Sequence, residues 1–74
     1  MKFHENMKAL REDKDLTQTE LGKILNMTQR KISHLETGNS EPTTEEIIEI
    51  CKFFKVSADY ILGLTNEPKP LPRK

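Results

Sequence analysis

The chain has 74 residues, of which 34% are apolar and 32% charged, and its 12 basic and 12 acidic residues give no net charge. At that length one small domain with a thin core is expected, because only about 60% of the unfolded chain's surface can be buried, and a large catalytic cleft is excluded. Zero net charge also excludes a chain-wide electrostatic attraction to nucleic acid.

Further classes of protein are excluded by what the sequence lacks. No apolar run approaches the roughly 18 residues of a membrane span, and the N-terminal MKFHENMK lacks the apolar stretch of a signal peptide, so we expect a cytoplasmic protein without a membrane partner. The one cysteine, Cys51, cannot form an internal disulfide, and His4 and His34 lack the spacing of zinc ligands. We therefore expect no metal, no cofactor and no small-molecule substrate.

Two helices are predicted in the first third of the chain. Apolar side chains at helical spacing predict a first helix over residues 2–13. That helix is expected to end within the charged segment Glu-Asp-Lys-Asp at residues 12–15. Thr17 and Glu20 then fit a capping box, in which each side chain accepts a hydrogen bond from the other residue's backbone amide. The second helix is predicted to end near Asn26, a residue type that tolerates the left-handed conformation. Its expected buried face consists of Leu21, Ile24 and Leu25.

The third helix follows the second after a very short connection. Thr28 is its predicted cap, Ile32 and Leu35 form its apolar side, and Gly38 is expected to end it in the left-handed conformation. About three residues then join helices two and three, and two short helices with so tight a turn form a helix-turn-helix. In that motif the second helix enters the major groove of B-DNA.

The fourth and fifth helices precede a tail. A second capping-box pattern runs from Thr43 to Glu46, and Ser57 is the predicted cap of a fifth helix over residues 58–62, closed by Gly63. The fourth helix is predicted from apolar residues that recur at helical spacing and form one face: Ile47, Ile50, Cys51 and Phe54. Residues 65–74 contain three prolines and are predicted to be a flexible tail. No segment alternates long enough to predict a strand.

The outward side chains of the third helix are suited to base edges. Gln29 can form two hydrogen bonds with adenine, Arg30 can do the same with guanine, and the methyl group of Thr28 can contact that of thymine. Local charge also favours this surface. Residues 21–35 contain three basic residues and no acid, whereas residues 41–49 contain four glutamates and no base.

Longer stretches of the chain match a known family. They are Leu10-Arg11, LTQTELGKILNMTQRKISHLETG at 16–38, Pro42 and FKVSADYILG at 54–63. Together they resemble the phage-repressor/Cro-type helix-turn-helix domains, also called XRE-like, over nearly everything except the tail. The resemblance implies an all-α, five-helix bundle of the lambda-repressor-like type at residues 1–64. It also implies that the chain binds double-stranded operator DNA as a homodimer.

The same resemblance implies roles for individual residues. Gln18, at the N-terminus of helix two, is expected on a DNA phosphate, assisted by free backbone amides. Arg11 and Glu36 are expected to form a structural ion pair between helices one and three and to make no DNA contact. The expected DNA contacts are Gln18, then Thr28, Gln29 and Arg30 nearest the bases, Ser33 and His34 further along the groove, and Lys31 and Asn39 near the backbone.

Two positions depart from the family pattern. Asn26 stands where a glycine is common, and the turn survives if Asn26 adopts the left-handed conformation. Gly22 stands where a small alanine usually lies, which costs about 1 kcal/mol of helix propensity but permits close helix–helix approach. No basic residue follows directly after Gly38, so a monomer is expected to bind DNA weakly.

Several assignments have a purely structural alternative. Thr28 can be a cap and a DNA contact at once, whereas Gln29 and Arg30 could be solvated surface. His34 could be a surface or packing residue, and Cys51 is expected to be a small core residue rather than a nucleophile. Either the core or a dimer contact would account for Tyr60, Ile61 and Leu64.

The function that the sequence favours is sequence-specific transcriptional regulation, in the form of a repressor that occupies a two-fold operator as a dimer. The alternative is a protein-interaction module, such as an antitoxin or an adaptor, with weak DNA binding. An enzyme is not expected, because no arrangement of residues suited to acid–base or nucleophilic catalysis is found.

Overall fold

The chain forms five α-helices and no strand in the part that the structure describes. This computed structural model describes residues 3–66. The helices are α1 Phe3–Asp13, α2 Gln18–Leu25, α3 Gln29–Thr37, α4 Thr44–Phe54 and α5 Ala58–Ile61. The predicted all-α, five-helix fold is confirmed, and α5 ends one residue earlier than predicted because Leu62 is its cap. Residue 2 of the predicted first helix and residues 67–74 of the predicted tail lie outside the described residues.

Local hydrogen bonds fix the starts of α2 and α4, as predicted. The hydroxyl of Thr17 accepts from the amide of Glu20 at 3.0 Å, and the carboxylate of Glu20 accepts from the amide of Thr17 at 2.8 Å. Thr43 and Glu46 form the same pair of bonds at 3.1 and 2.9 Å. Because these bonds satisfy amides that the first helical turn leaves unpaired, two residues three positions apart in sequence are enough to define each start.

One apolar core holds the helices together. Helix α3 packs against both α1 and α2, while α5 packs against α1 and α4. Asn6 adds a polar link from α1 to the end of α5, because its Nδ2 donates to the carbonyls of Tyr60 and Ile61, each at 3.1 Å. The largest fully buried side chains are Phe3, Met7, Leu21, Ile32, Leu35, Ile50 and Ile61. Two of these belong to α3, so the core fixes how that helix is turned.

Two predictions about α2 are corrected. Its apolar face was expected to bury Ile24, but that side chain is 49% exposed, while Leu21 is fully buried. A helix of 8 residues makes little more than two turns, so its tertiary contacts decide which apolar positions are covered. Gly22 approaches the turn rather than another helix: a Cβ there would lie 2.6 Å from the carbonyl oxygen of Met27.

Some large apolar side chains outside the core are exposed to solvent. Ile48 is 46% exposed and Leu64 is 73% exposed, whereas Ile61 is fully buried and Tyr60 is half-buried. Ile61 is therefore a core residue, whereas the side chain of Leu64 faces solvent. None of the helices between residues 3 and 66 is long and apolar enough to cross a bilayer.

Candidate nucleic-acid interface

The turn between α2 and α3 consists of Asn26, Met27 and Thr28. Asn26 has a φ of 60° and a ψ of 44°, which is the left-handed conformation predicted for it. The amide of Met27 donates to the carbonyl of Gly22 at 2.7 Å and closes the end of α2. Thr28 is extended, and its hydroxyl accepts from the amide of Lys31 at 3.0 Å. The predicted cap of α3 is thus confirmed, and the two helices are joined by three residues.

Helix α3 has one buried side and one side that faces solvent. Ile32 and Leu35 are fully buried, and Glu36 is only 5% exposed. The opposite side, which we call the recognition strip, consists of Thr28, Gln29, Arg30, Ser33 and His34. The first three of these side chains are exposed and the last two are half-buried, so no member of the strip lies in the core. A partner approaching from solvent can reach all five.

Arg11 and Glu36, the expected ion pair, join α1 to α3. The Nε of Arg11 donates to Oε2 of Glu36 at 2.7 Å, and its Nη2 donates to Oε1 at 3.1 Å. The third guanidinium nitrogen donates to the carbonyl of Leu16 at 2.7 Å. The hydrogen bond to Glu36 raises the pKa of Arg11 above its ordinary value, although burial opposes this. Arg11 therefore stays charged, and both carboxylate oxygens of Glu36 have partners.

Gln18 connects this ion pair to the recognition strip. Its Nε2 donates to Oε1 of Glu36 at 3.2 Å, and its Oε1 accepts from Nε2 of Gln29 at 2.6 Å. A continuous row of hydrogen bonds therefore runs from the half-buried Arg11 to the exposed end of α3. The sequence pattern did not predict that Gln18 bonds Glu36 or Gln29, because these residues are 18 and 11 positions away and meet only through tertiary packing.

The two residues expected near the DNA backbone have different surroundings. The Nζ of Lys31 lies 3.5 Å from Oε2 of Glu46 on α4, with the two side chains 31% and 22% exposed. The sequence assigned Glu46 only to a capping box, so this second contact was missed. Asn39 is exposed beyond Gly38, and its backbone N–H donates to the backbone carbonyl of His34 at 3.0 Å. Its side chain lies at the surface just past the end of α3.

The remaining reactive groups do not assemble into a second site in the described chain. Cys51 is half-buried on α4, and burial raises the pKa of its thiol. A raised pKa reduces the thiolate fraction, so Cys51 is a poor nucleophile and packs against the core as predicted. Within residues 3–66 no group of three or more His, Cys, Asp and Glu side chains is placed to hold a metal ion.

Comparison with known proteins identifies relatives of this domain. The chain is 41% identical over 58 residues to the antitoxin PezA of Streptococcus pneumoniae, covering 78% of this chain and 37% of that protein. It is 39% identical over 63 residues to the HTH-type transcriptional activator BcrR of Enterococcus faecalis, covering 85% of this chain and 31% of that protein. The chain thus spans about a third of the length of these relatives.

A solved structure has the same helix arrangement. The crystal structure of the P22 c2 repressor protein in complex with a synthetic operator matches with a TM-score of 0.80 and 28% identity, over 88% of this chain and 98% of that chain. These three proteins are described as an antitoxin, a transcriptional activator and a repressor in complex with operator DNA, and none of them is described as an enzyme. The family model described as helix-turn-helix matches residues 7–61, which is most of the chain. The chain therefore belongs to the helix-turn-helix family of the phage-repressor/Cro type.

Proposed function

We propose that residues 1–64 form the sequence-specific DNA-binding domain of a transcriptional regulator, with α3 in the major groove. The observation that supports this most is the two-sidedness of α3, which keeps Ile32 and Leu35 in the core while the recognition strip faces solvent. Burial on one side holds the helix rigidly. The major groove is about 12 Å wide and admits one helix, so the strip can meet base edges there.

The residue types in the recognition strip fit this role. Arg30 is exposed near the N-terminus of α3, where it can pair with guanine through two hydrogen bonds. The hydroxyl of Thr28 accepts from a backbone amide as the cap, which leaves its methyl group for a thymine methyl. Ser33 and His34 would lie further along the groove. Three groups would lie near phosphates: Lys31, Asn39 and the second side-chain N–H of Gln18. Contacts to phosphates fix the position of the helix on the duplex but do not specify its sequence.

The proposal extends to a homodimer that acts in the cytoplasm as a repressor on a two-fold operator. A chain with zero net charge and few basic residues near α3 neutralises few phosphates, so one protomer alone gains little affinity. Joining two protomers makes the second binding event intramolecular and raises affinity without new contacts. The similarity to a solved complex of the P22 c2 repressor with operator DNA supports the repressor and operator parts of this proposal, and the affinity argument supports the dimer.

Selection of bound sites from a pool of random duplexes tests the proposal. At moderate salt the full chain should enrich one two-fold sequence. Arg30→Ala should then cost about 1–3 kcal/mol at one base position if Arg30 contacts guanine, and much less elsewhere in the site. Lys52→Ala is the matched control, because it removes one positive charge from an exposed position on α4. Uniform weakening by Arg30→Ala would make Arg30 a phosphate contact.

A second candidate function is that of a protein-interaction module such as an antitoxin. The relative at 41% identity is named as an antitoxin, and the matched region is about a third of that protein. In this case random duplexes would bind without enrichment of any sequence, and Arg30→Ala would leave DNA binding unchanged. The selection experiment therefore separates the two candidates.

A further inference from the structure

Helix α4 has an outer face opposite the side that packs on the core. Ile50 and Phe54 hold its inner side in the core. The outer α4 face consists of four exposed side chains at helical spacing: Glu45, Ile48, Glu49 and Lys52. Ile48, between the two glutamates, is 46% exposed. None of the three charged side chains forms an ion pair with another residue of 3–66. The face is therefore an apolar position flanked by available charges.

The segment 67–74 carries the matching pattern in the opposite order. Every second residue there is in turn acidic, basic, apolar and basic: Glu67, Lys69, Leu71 and Arg73. From the C-terminal end of α4, the outer face reads basic, acidic, apolar and acidic. Each charge of one segment therefore meets its opposite when the two run antiparallel, with Leu71 on Ile48.

The prolines of this segment favour the conformation that such pairing requires. Pro68, Pro70 and Pro72 alternate with the four residues of the pattern. A residue that precedes a proline is biased towards extended backbone, and side chains two positions apart in an extended chain point to the same side. The charged and apolar members of the pattern can therefore face α4 together.

The end of the described chain lies at the correct end of α4. Helix α5 packs against α4, which it follows after three residues, and it is only 4 residues long. The amide of Leu64 donates to the carbonyl of Asp59 at 2.7 Å, and Gly63 has a φ of 82°, so the chain turns there. The segment after Asn66 thus starts close to the C-terminal end of α4, where an antiparallel partner must enter.

The lengths of the two segments are compatible. The outer α4 face extends about 10 Å along the helix axis, at 1.5 Å per residue. An extended segment from Glu67 to Arg73 covers about 19 Å, at 3.1 Å per residue. The difference is shared between the two ends, where long charged side chains on flexible stems can lean inwards.

We propose that residues 67–74 dock antiparallel on the outer α4 face of the same chain. Exposed ion pairs are individually weak and sensitive to salt. Here the docking is intramolecular, so a short connection holds the segment at an effective concentration of the order of mM. Burial of Leu71 on Ile48 adds an apolar contact to the three ion pairs. Another protein that binds this face of α4 must first displace the segment.

Nuclear Overhauser effects between methyl groups test the proposal in the full chain. With isoleucine and leucine methyl groups labelled, cross-peaks between Leu71 and Ile48 should appear at low salt. They should lose more than half of their intensity at about 1 M salt, where charges are screened beyond about 3 Å. Absence of the cross-peaks at low salt would refute docking.

An equimolar mixture of chains labelled only at isoleucine and chains labelled only at leucine distinguishes the two possible sources of the segment. Docking within one chain predicts no cross-peaks in this mixture. Cross-peaks there would show that the segment comes from a second copy, which would overturn the proposal as stated.

Reversal of one ion pair tests the alignment of the two segments. Lys69→Glu should abolish the cross-peaks by repelling Glu49, and the double variant Lys69→Glu with Glu49→Lys should restore them. Lys8→Glu makes the same change at an exposed position on α1 and should leave them unchanged. Thermal unfolding verifies the fold of each variant. Cross-peaks that persist in Lys69→Glu, or that stay absent in a folded double variant, would contradict this alignment. Lys69→Glu lies outside the five helices, so it is decisive even if Glu49→Lys unfolds the domain.

Discussion

Asn26 determines how closely α3 can follow α2. Its φ of 60° lies in the left-handed region, which costs an ordinary residue about 1–2 kcal/mol and costs asparagine or glycine less. The backbone at this position must reverse direction within three residues, because Thr28 already caps the next helix. The spacing of the recognition strip from α2 therefore depends on one residue that tolerates this conformation.

We predict that Asn26→Ala lowers the free energy of unfolding by about 1 kcal/mol, because alanine does not easily adopt the left-handed conformation. Asn26→Gly should be far less harmful, since glycine adopts it without steric cost. Urea denaturation of the three proteins measures the difference. If Asn26→Ala is as stable as the wild type, the turn does not have the conformation described here.

Thr28 has two separable roles, a helix cap and a candidate contact to thymine. Thr28→Ala should cost about 1 kcal/mol of stability, because the amide of Lys31 loses its acceptor. Thr28→Ser keeps the hydroxyl and removes only the methyl group. It should therefore unfold like the wild type in urea and yet discriminate less against uracil in place of thymine at one position. Equal discrimination by the serine variant would exclude the methyl contact.

At the scale of the helices, the sequence predicted where each helix begins and ends better than it predicted which side of the helix is buried. The two capping boxes, the left-handed Asn26 and the left-handed Gly38 were predictable because each depends on residues within four positions of one another. The exposure of Ile24 could not be predicted, because α2 is short and its contacts with other helices decide which of its apolar side chains are covered. The bonds of Gln18 and the pairing of Lys31 with Glu46 depend on how separate helices pack, which no local pattern encodes.

The pairing of α3 with α4 opposes the role expected for Lys31. Glu46 lies 3.5 Å from the Lys31 ammonium and competes with a phosphate for the same charge. Because both side chains are partly exposed, the pair contributes at most about 1 kcal/mol to folding. We expect the Lys31–Glu46 pair to affect DNA binding more than stability, because a DNA phosphate would have to displace Glu46 from Lys31.

Glu46→Gln should therefore bind the selected duplex more tightly than the wild type. Glutamine also serves at this position of a capping box, so the start of α4 is retained. If Lys31 then neutralises one more phosphate, the slope of log affinity against log salt becomes steeper by about 0.9. Glu45→Gln, an exposed neighbour, controls for the general loss of a negative charge. An unchanged slope in Glu46→Gln would mean that Lys31 contacts no phosphate.

At the scale of the whole molecule, the proposed dimer sets the geometry of the operator. Two recognition helices related by a two-fold axis must enter the groove about one turn apart, roughly 34 Å. Insertion of five base pairs between the half-sites places them on opposite faces of the duplex, so cooperative binding should disappear. Sedimentation of the complex should show two protomers on the uninterrupted site and one on a half-site. Tight binding by single protomers would contradict the dimer proposal.

The recognition strip is the surface that we propose meets DNA. Titration of the isotope-labelled full chain with its selected duplex, followed by amide chemical shifts, tests this most directly. We predict that the largest changes occur at residues 28–34 and at the N-terminus of α2, and that α5 changes little on binding a single half-site. Changes concentrated on α4 or α5, with residues 28–34 unaffected, would contradict the account.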